Sequence, residues 1–155
     1  MIAEAKRGGV IAATCASTTM TEIRNLVETS AYVDDLDRAE AFYRDVLGLE
    51  VIGREEGRHV FFRVGNADVL LLFNPDETLK GDPLPPHGAR GPGHFAFGIA
   101  ADALDFWRQR LTSSGVAIEK EMEWPRGGRS LYFRDPAGNA VELITPGLWG
   151  LRSGW

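Results

Sequence analysis

The sequence predicts an α+β fold, with two βαβββ modules forming a curved, mostly antiparallel eight-stranded sheet around a cleft. Three observations carry this. A strand, an amphipathic helix and three further strands occur in that order twice along the chain. The halves are in register: the helix-ending Gly48 and Gly115 lie 67 positions apart, and Glu28 and His94, which open the first strand of each half, lie 66 apart. Between the halves, residues 74–92 hold five of the chain's eight prolines together with Gly81, Gly88 and Gly91, which is the composition of an extended connector.

Each element follows from its residues. Residues 28–33 are short, rich in strand formers and weakly alternating. Leu36, Ala39, Phe42, Tyr43, Val46 and Leu47 then recur at helical spacing, with Asp34 or Asp35 as N-cap and Gly48 as the left-handed stop. Residues 49–56, 58–64 and 67–73 read as strands separated by turns at Gly57 and at Gly65-Asn66. The second half repeats the order. It has a strand at 93–99, a helix carrying Leu104, Trp107 and Leu111 with Asp102 as expected N-cap, and strands at 117–124, 129–134 and 139–144. On that helix core packing is expected for at least one of Phe106 and Trp107. The run Asp135-Pro136-Ala137-Gly138-Asn139 is a turn with a structural task, since proline presets φ and Gly-Asn tolerates positive φ.

Length and charge bound the rest. A chain of 155 residues makes one ordinary domain that needs neither disulfides nor a structural metal to hold its core. The net charge of −5 and the lack of a Lys/Arg-rich run argue against a nucleic-acid partner and against a polybasic membrane surface. Cys15 is the single cysteine, so neither an intrachain disulfide nor a cysteine zinc cluster can form, and a reducing cytoplasm is the expected compartment. Lys6 and Arg7 before Val10-Ile11-Ala12-Ala13 faintly resemble a secretory leader, but the apolar stretch is too short. The expected organisation is an N-terminal extension over residues 1–21 that is poorly ordered, with Met20 as an alternative start, then a single domain over 22–146 and a tail over 147–155. The domain divides into module one (22–74), the connector (75–92) and module two (93–146). The tail's Trp149 and Trp155 are expected to cover a sheet edge or a subunit interface.

Two stretches carry a family resemblance. Val33-Asp34-Asp35-Leu36 through Ala41-Phe42-Tyr43-Arg44-Asp45-Val46-Leu47-Gly48-Leu49 resembles the first helix of the vicinal oxygen chelate superfamily, also called the glyoxalase/bleomycin-resistance/dioxygenase superfamily. Tyr132-Phe133-Arg134-Asp135-Pro136-Ala137-Gly138-Asn139-Ala140-Val141-Glu142-Leu143 is similar to the close of its second module. With Gly93-His94-Phe95-Ala96-Phe97, the resemblance spans residues 22–146.

The resemblance implies metal ligands on the first and last strands of each module. Carried over by position, these are Glu28, a site near Leu70, His94 and Glu142. Leucine binds no metal, so three candidates remain: Glu28, His94 and Glu142. Each alone is an ordinary strand residue, and their coincidence at equivalent places of a repeat carries the argument. One imidazole and two carboxylates suit one divalent ion, with Mg²⁺, Mn²⁺, Fe²⁺, Ni²⁺ and Zn²⁺ not distinguished by this donor set. Glu28 and Glu142 are also the candidate catalytic carboxylates. His59, Arg63 and Tyr132 share strand faces that could meet substrate, while His87 in the connector is expected to face solvent.

Four functions remain open within the resemblance. The favoured one is a glyoxalase-like enzyme that moves a proton next to a metal-bound carbonyl of a small oxygenated substrate, with isomerase or lyase outcome. The others are a thiol transferase of the fosfomycin-resistance kind, an extradiol-type dioxygenase, and a metal-free binding protein of the bleomycin-resistance kind. A small-molecule substrate and a homodimer are expected, with the site formed within one chain or across two.

Overall fold

The computed structural model describes Ile23, residues 25–81 and residues 84–151. The expected N-terminal extension and Trp155 lie outside the described residues. The elements run β1 (Glu28–Tyr32), α1 (Leu36–Ala41), β2 (Glu50–Glu55), β3 (His59–Val64), β4 (Asp68–Phe73), α2 (Pro75–Thr78), β5 (His94–Gly98), α3 (Leu104–Ser113), β6 (Ile118–Glu123), β7 (Arg129–Arg134) and β8 (Ala140–Ile144). The eight strands form two hydrogen-bonded sheets of four, ordered β1-β4-β3-β2 and β5-β8-β7-β6. In each, the first strand pairs parallel with the last and the other neighbours pair antiparallel. A helical crossover followed by a three-stranded meander returns the last strand beside the first in this sense.

The repeat extends to irregularities. The register shifts between Val51 and Gly53 in β2 and between Ile118 and Lys120 in β6, at positions again 67 apart. One extra residue there bends each outer strand and increases its twist.

The first helix starts as expected, with Asp35 accepting from the Arg38 N–H at 2.9 Å. It widens into a π-helical turn over Phe42–Val46, which turns both Phe42 and Tyr43 into the core. Gly48 closes it at φ 76°. The carbonyls freed there are taken by module two: Arg110 donates to Val46 O at 2.5 Å and to Asp45 O at 3.1 Å.

Two expectations are corrected. Asp102 does not cap α3. The chain makes a turn first, with the Ala103 N–H bonded to Ala100 O at 3.0 Å, so Ala103 takes the cap position without a side-chain bond. The connector is not extended throughout. Asn74 caps a single helical turn by accepting from the Asp76 N–H at 3.0 Å, and Pro75 occupies the first turn, where a missing N–H does no harm. Trp149 is 69% exposed. Trp107 packs against the core and Phe106 does not.

One core joins the modules. Val60, Phe62, Leu70 and Leu72 from the first sheet and Leu131, Phe133, Val141 and Leu143 from the second are buried in a single cluster with residues of α1 and α3. Strand alternation then puts Glu28, Tyr32, His59, His94, Tyr132 and Glu142 on the sheet faces away from that core. At its centre Tyr43 donates to Asp135 Oδ2 at 2.8 Å across 92 residues of sequence. Burial first, and then the Asp135 carboxylate, push the Tyr43 phenol far above its ordinary range, so it remains a donor. Tyr43→Phe removes one charge-assisted hydrogen bond from a buried carboxylate and is expected to lower stability by about 2 kcal/mol. Urea unfolding tests this through a lower midpoint at unchanged slope.

Candidate functional site

Val141 and Leu143 point into the core, so Glu142 between them faces the other side of the second sheet. It is only 5% exposed. In the ladder it stands opposite Tyr132 on β7 and Ala96 on β5, and His94 stands opposite Ala140. The three side chains therefore meet. His94 Nε2 lies 3.5 Å from Glu142 Oε2, and the His94 ring lies against Tyr132 with centroids 6.1 Å apart.

Ala140 O accepts from His94 Nδ1 at 3.1 Å. A carbonyl cannot donate, so Nδ1 carries a proton; in the neutral ring Nε2 is then the bare nitrogen, and it is the one nearer Glu142. Glu142 Oε1 is buried without a hydrogen-bond partner. Burial, and next its hydrogen bond to the Glu142 carboxylate, push the Tyr132 phenol up to about 12, so it keeps its proton at neutral pH. An imidazole nitrogen beside a carboxylate that has one oxygen left unpartnered is a donor set that fits a divalent cation, with the other ring nitrogen tied to the backbone as such a ligand requires.

The third expected ligand is elsewhere. Glu28 is exposed on β1, and among the described residues no three His, Cys, Asp or Glu side chains gather to hold a metal ion. The strand register also corrects the fourth position. Ser30, two residues after Glu28, pairs with Leu71, as Ala96, two residues after His94, pairs with Glu142. The counterpart of Glu142 is thus Leu71, whereas Leu70 is a core residue at 2% exposure.

The outward face of the first sheet carries a cavity of about 820 Å³ instead. Its wall comes from module one and the connector, and includes Glu28, Tyr32, His59, Phe61, Phe73 and His87. His59 is in this wall as the alternation suggested. Arg63 is not among the lining residues; it is exposed and paired with Glu50 at 2.9 Å. His87 overturns its expectation of facing solvent. Its N–H bonds to Thr78 O at 3.2 Å, which folds the connector back, and its Nδ1 lies 2.9 Å from the Tyr32 hydroxyl. Tyr32 was legible from its alternation with Glu28; His87 depended on the unforeseen turn at α2.

Desolvation holds the His59 imidazole below the ordinary histidine value, against a smaller opposing pull from Glu55. The unfolded chain then takes up this proton before the folded one does. Stability is expected to fall as pH drops from the unfolded histidine value, about 6.5, toward the lower folded one. Imidazole NMR titration of the folded protein should give a midpoint for His59 below that value, and His59→Asn should remove this part of the acid destabilisation.

Comparison with known proteins agrees with this architecture. Residues 25–143 match the model of the Glyoxalase/Bleomycin resistance protein/Dioxygenase superfamily. The chain is 32% identical over 114 residues to a metallothiol transferase FosB of Bacillus licheniformis, covering 73% of this chain and 70% of that one. It is 30% identical over 121 residues to a glutathione transferase FosA of Serratia marcescens, covering 78% and 80%. A crystal structure described as a lactoylglutathione lyase from Agrobacterium tumefaciens superposes with a TM-score of 0.78 at 46% identity, covering 82% of this chain and 97% of that one. The repeated βαβββ frame and the match over most of its length establish that the chain belongs to the glyoxalase/bleomycin resistance/dioxygenase superfamily.

Proposed function

We propose that the protein is a metal-dependent enzyme that moves a proton next to a carbonyl of a small oxygenated substrate, with isomerase or lyase outcome. One observation carries this reading: His94 Nε2 stands 3.5 Å from Oε2 of the buried Glu142 carboxylate, whose Oε1 has no hydrogen-bond partner. His94 and Glu142 would hold a divalent ion, with Glu28 of a second copy of the chain as the third donor. Two observations support a site shared by two copies. Each chain brings together only two of the three donors, and Glu28 stands exposed on the face of module one that lies away from the core. The reading therefore includes a homodimer, and the single cysteine suits work in a reducing cytoplasm.

When bound, the ion supplies Lewis-acid polarisation of the substrate carbonyl. The protein's part is positional. The bond from His94 Nδ1 to Ala140 O fixes the ring orientation. Tyr132, which keeps its proton to about pH 12, offers a hydrogen bond to a substrate oxygen beside Glu142. The carboxylates of Glu142 and Glu28 are the groups available to accept the proton removed. The similarity to FosB and FosA favours a second reading, transfer of a thiol to a small substrate on the same ligands. Parallel assays with an α-ketoaldehyde–thiol adduct and with an epoxide plus thiol separate the two.

Protein purified without chelator is expected to hold about one divalent ion per chain, and His94→Ala to hold less than about a tenth of that. Stoichiometric metal in that variant rejects the ligand set. Glu28→Ala and His94→Ala homodimers should both be empty. Mixing them equally should restore about a quarter of the wild-type metal, because half of the dimers are mixed and each mixed dimer has one intact site. No restoration after verified subunit exchange rejects the shared site.

A further inference from the structure

The module-one cavity has a different chemistry from the His94–Glu142 centre. Its rings touch in an unbroken series. His59 stacks on Phe61 at 4.0 Å with planes 7° apart, and Phe61 meets Phe73 edge to face at 5.4 Å. Phe73 meets His87 at 4.8 Å, and His87 meets Tyr32 at 6.0 Å. Buried aromatic clusters ordinarily fill their own space. Here about 820 Å³ stays open beside the rings, within the roughly 300–1,000 Å³ typical of small-molecule pockets. Arg58 and Glu28 bring one cationic and one acidic side chain to the wall. That balance is unlike an anion site, which gathers cations.

The Tyr32–His87 pair adds a polar handle. A neutral imidazole and a phenol together carry two protons on polar atoms, and their 2.9 Å mutual bond uses one. If Tyr32 donates, His87 Nε2–H remains; if His87 Nδ1 donates, the Tyr32 O–H remains. Either tautomer leaves one donor, and among the described residues neither side chain has a second hydrogen-bond partner to take it.

We propose that this cavity binds an uncharged planar aromatic group bearing a hydroxyl or carbonyl oxygen, with the ring against the Phe61 and Phe73 wall and the oxygen accepting from the Tyr32–His87 pair. This gives the substrate of the enzyme proposed above an aromatic part, separate from the carbonyl that reacts. It rests on that reading for the chemistry, because Glu28 lines the same cavity, but not for the binding itself.

The test is calorimetric titration of chelator-treated, full-length protein with 2-naphthol, with pyruvate and methylphosphonate as non-aromatic comparisons. Wild-type protein should bind 2-naphthol saturably with Kd below about 1 mM, and the comparisons at least about tenfold more weakly. Phe61→Leu and His87→Ala should each weaken 2-naphthol about tenfold, the loss expected for an aromatic contact or one hydrogen bond. Phe106→Ala, an exposed residue of α3 that is not among the lining residues, should bind it as wild type does. No saturable binding, wild-type affinity in both Phe61→Leu and His87→Ala, or preference for methylphosphonate overturns the proposal. Since His87 lies on the connector and not in a sheet, its variant keeps the test valid if Phe61→Leu folds poorly. Loss of the metal centre with retained naphthol binding rejects only the enzyme reading; metal uptake without naphthol binding rejects only the aromatic cavity.

Discussion

The Asp135 carboxylate, 4% exposed, holds the molecule's geometry together. Left unpaired, a buried charge of this kind would cost several kcal/mol. Instead Oδ1 accepts from the Ala137 and Asn139 N–H groups, and Oδ2 from Asn139 Nδ2 and the Tyr43 hydroxyl. Three of these bonds shape the β7–β8 turn and the fourth crosses to module one. Asn139 then passes the constraint on, because its Oδ1 accepts from the Gly93 N–H at 2.7 Å. Gly93 precedes His94 and Asn139 precedes Ala140, whose carbonyl orients the His94 ring. The position of the candidate ligand thus depends on a polar knot in the core that itself touches no substrate.

The same frame carries different side chains at equivalent positions. Strand register places Glu28 against His94, Leu71 against Glu142, Phe61 against Tyr132 and His59 against Ser130. Module two therefore groups imidazole, phenol and carboxylate at His94, Tyr132 and Glu142, where module one has Glu28, Phe61 and Leu71. Arg63 and Arg134 are also counterparts, and each pairs across to the neighbouring outer strand, with Glu50 and Glu119. That repetition accounts for Arg63 as a sheet-surface ion pair and for its absence from the cavity wall.

Legibility in the sequence followed the range of the interactions. Periodicity, caps and turns are local, so the two modules, the Asp35 cap and the Gly48 stop were readable. The family resemblance pointed to His94 and Glu142, and the alternation of Ser130, Tyr132 and Arg134 pointed to Tyr132. What escaped was set by contacts between distant segments. The π-helical turn at Phe42–Val46 answers to Arg110 in the other module. The slip from Leu70 to Leu71 as the counterpart of Glu142 reflects strand pairing, and one residue changes the face entirely. His87 reaches the cavity only because Asn74 caps a helical turn that folds the proline-rich segment back onto Thr78. Proline density spoke for a connector and was silent on its path.

The unpartnered Glu142 Oε1 gives the proposed centre its energetic logic. A polar atom buried without a partner destabilises a fold by about 1–3 kcal/mol, more when charged. The core could have relieved this with one more donor, as Asp135 is relieved by four. Glu142 instead has His94 Nε2 at 3.5 Å and the Tyr132 phenol as a hydrogen-bonding neighbour, and its Oε1 stays without a partner. The first sheet has Leu71 at the equivalent place. On the proposed reading a cation pairs with that oxygen, so binding and folding become linked. On the same reading the unsatisfied acceptor is what separates Glu142 from an ordinary strand residue.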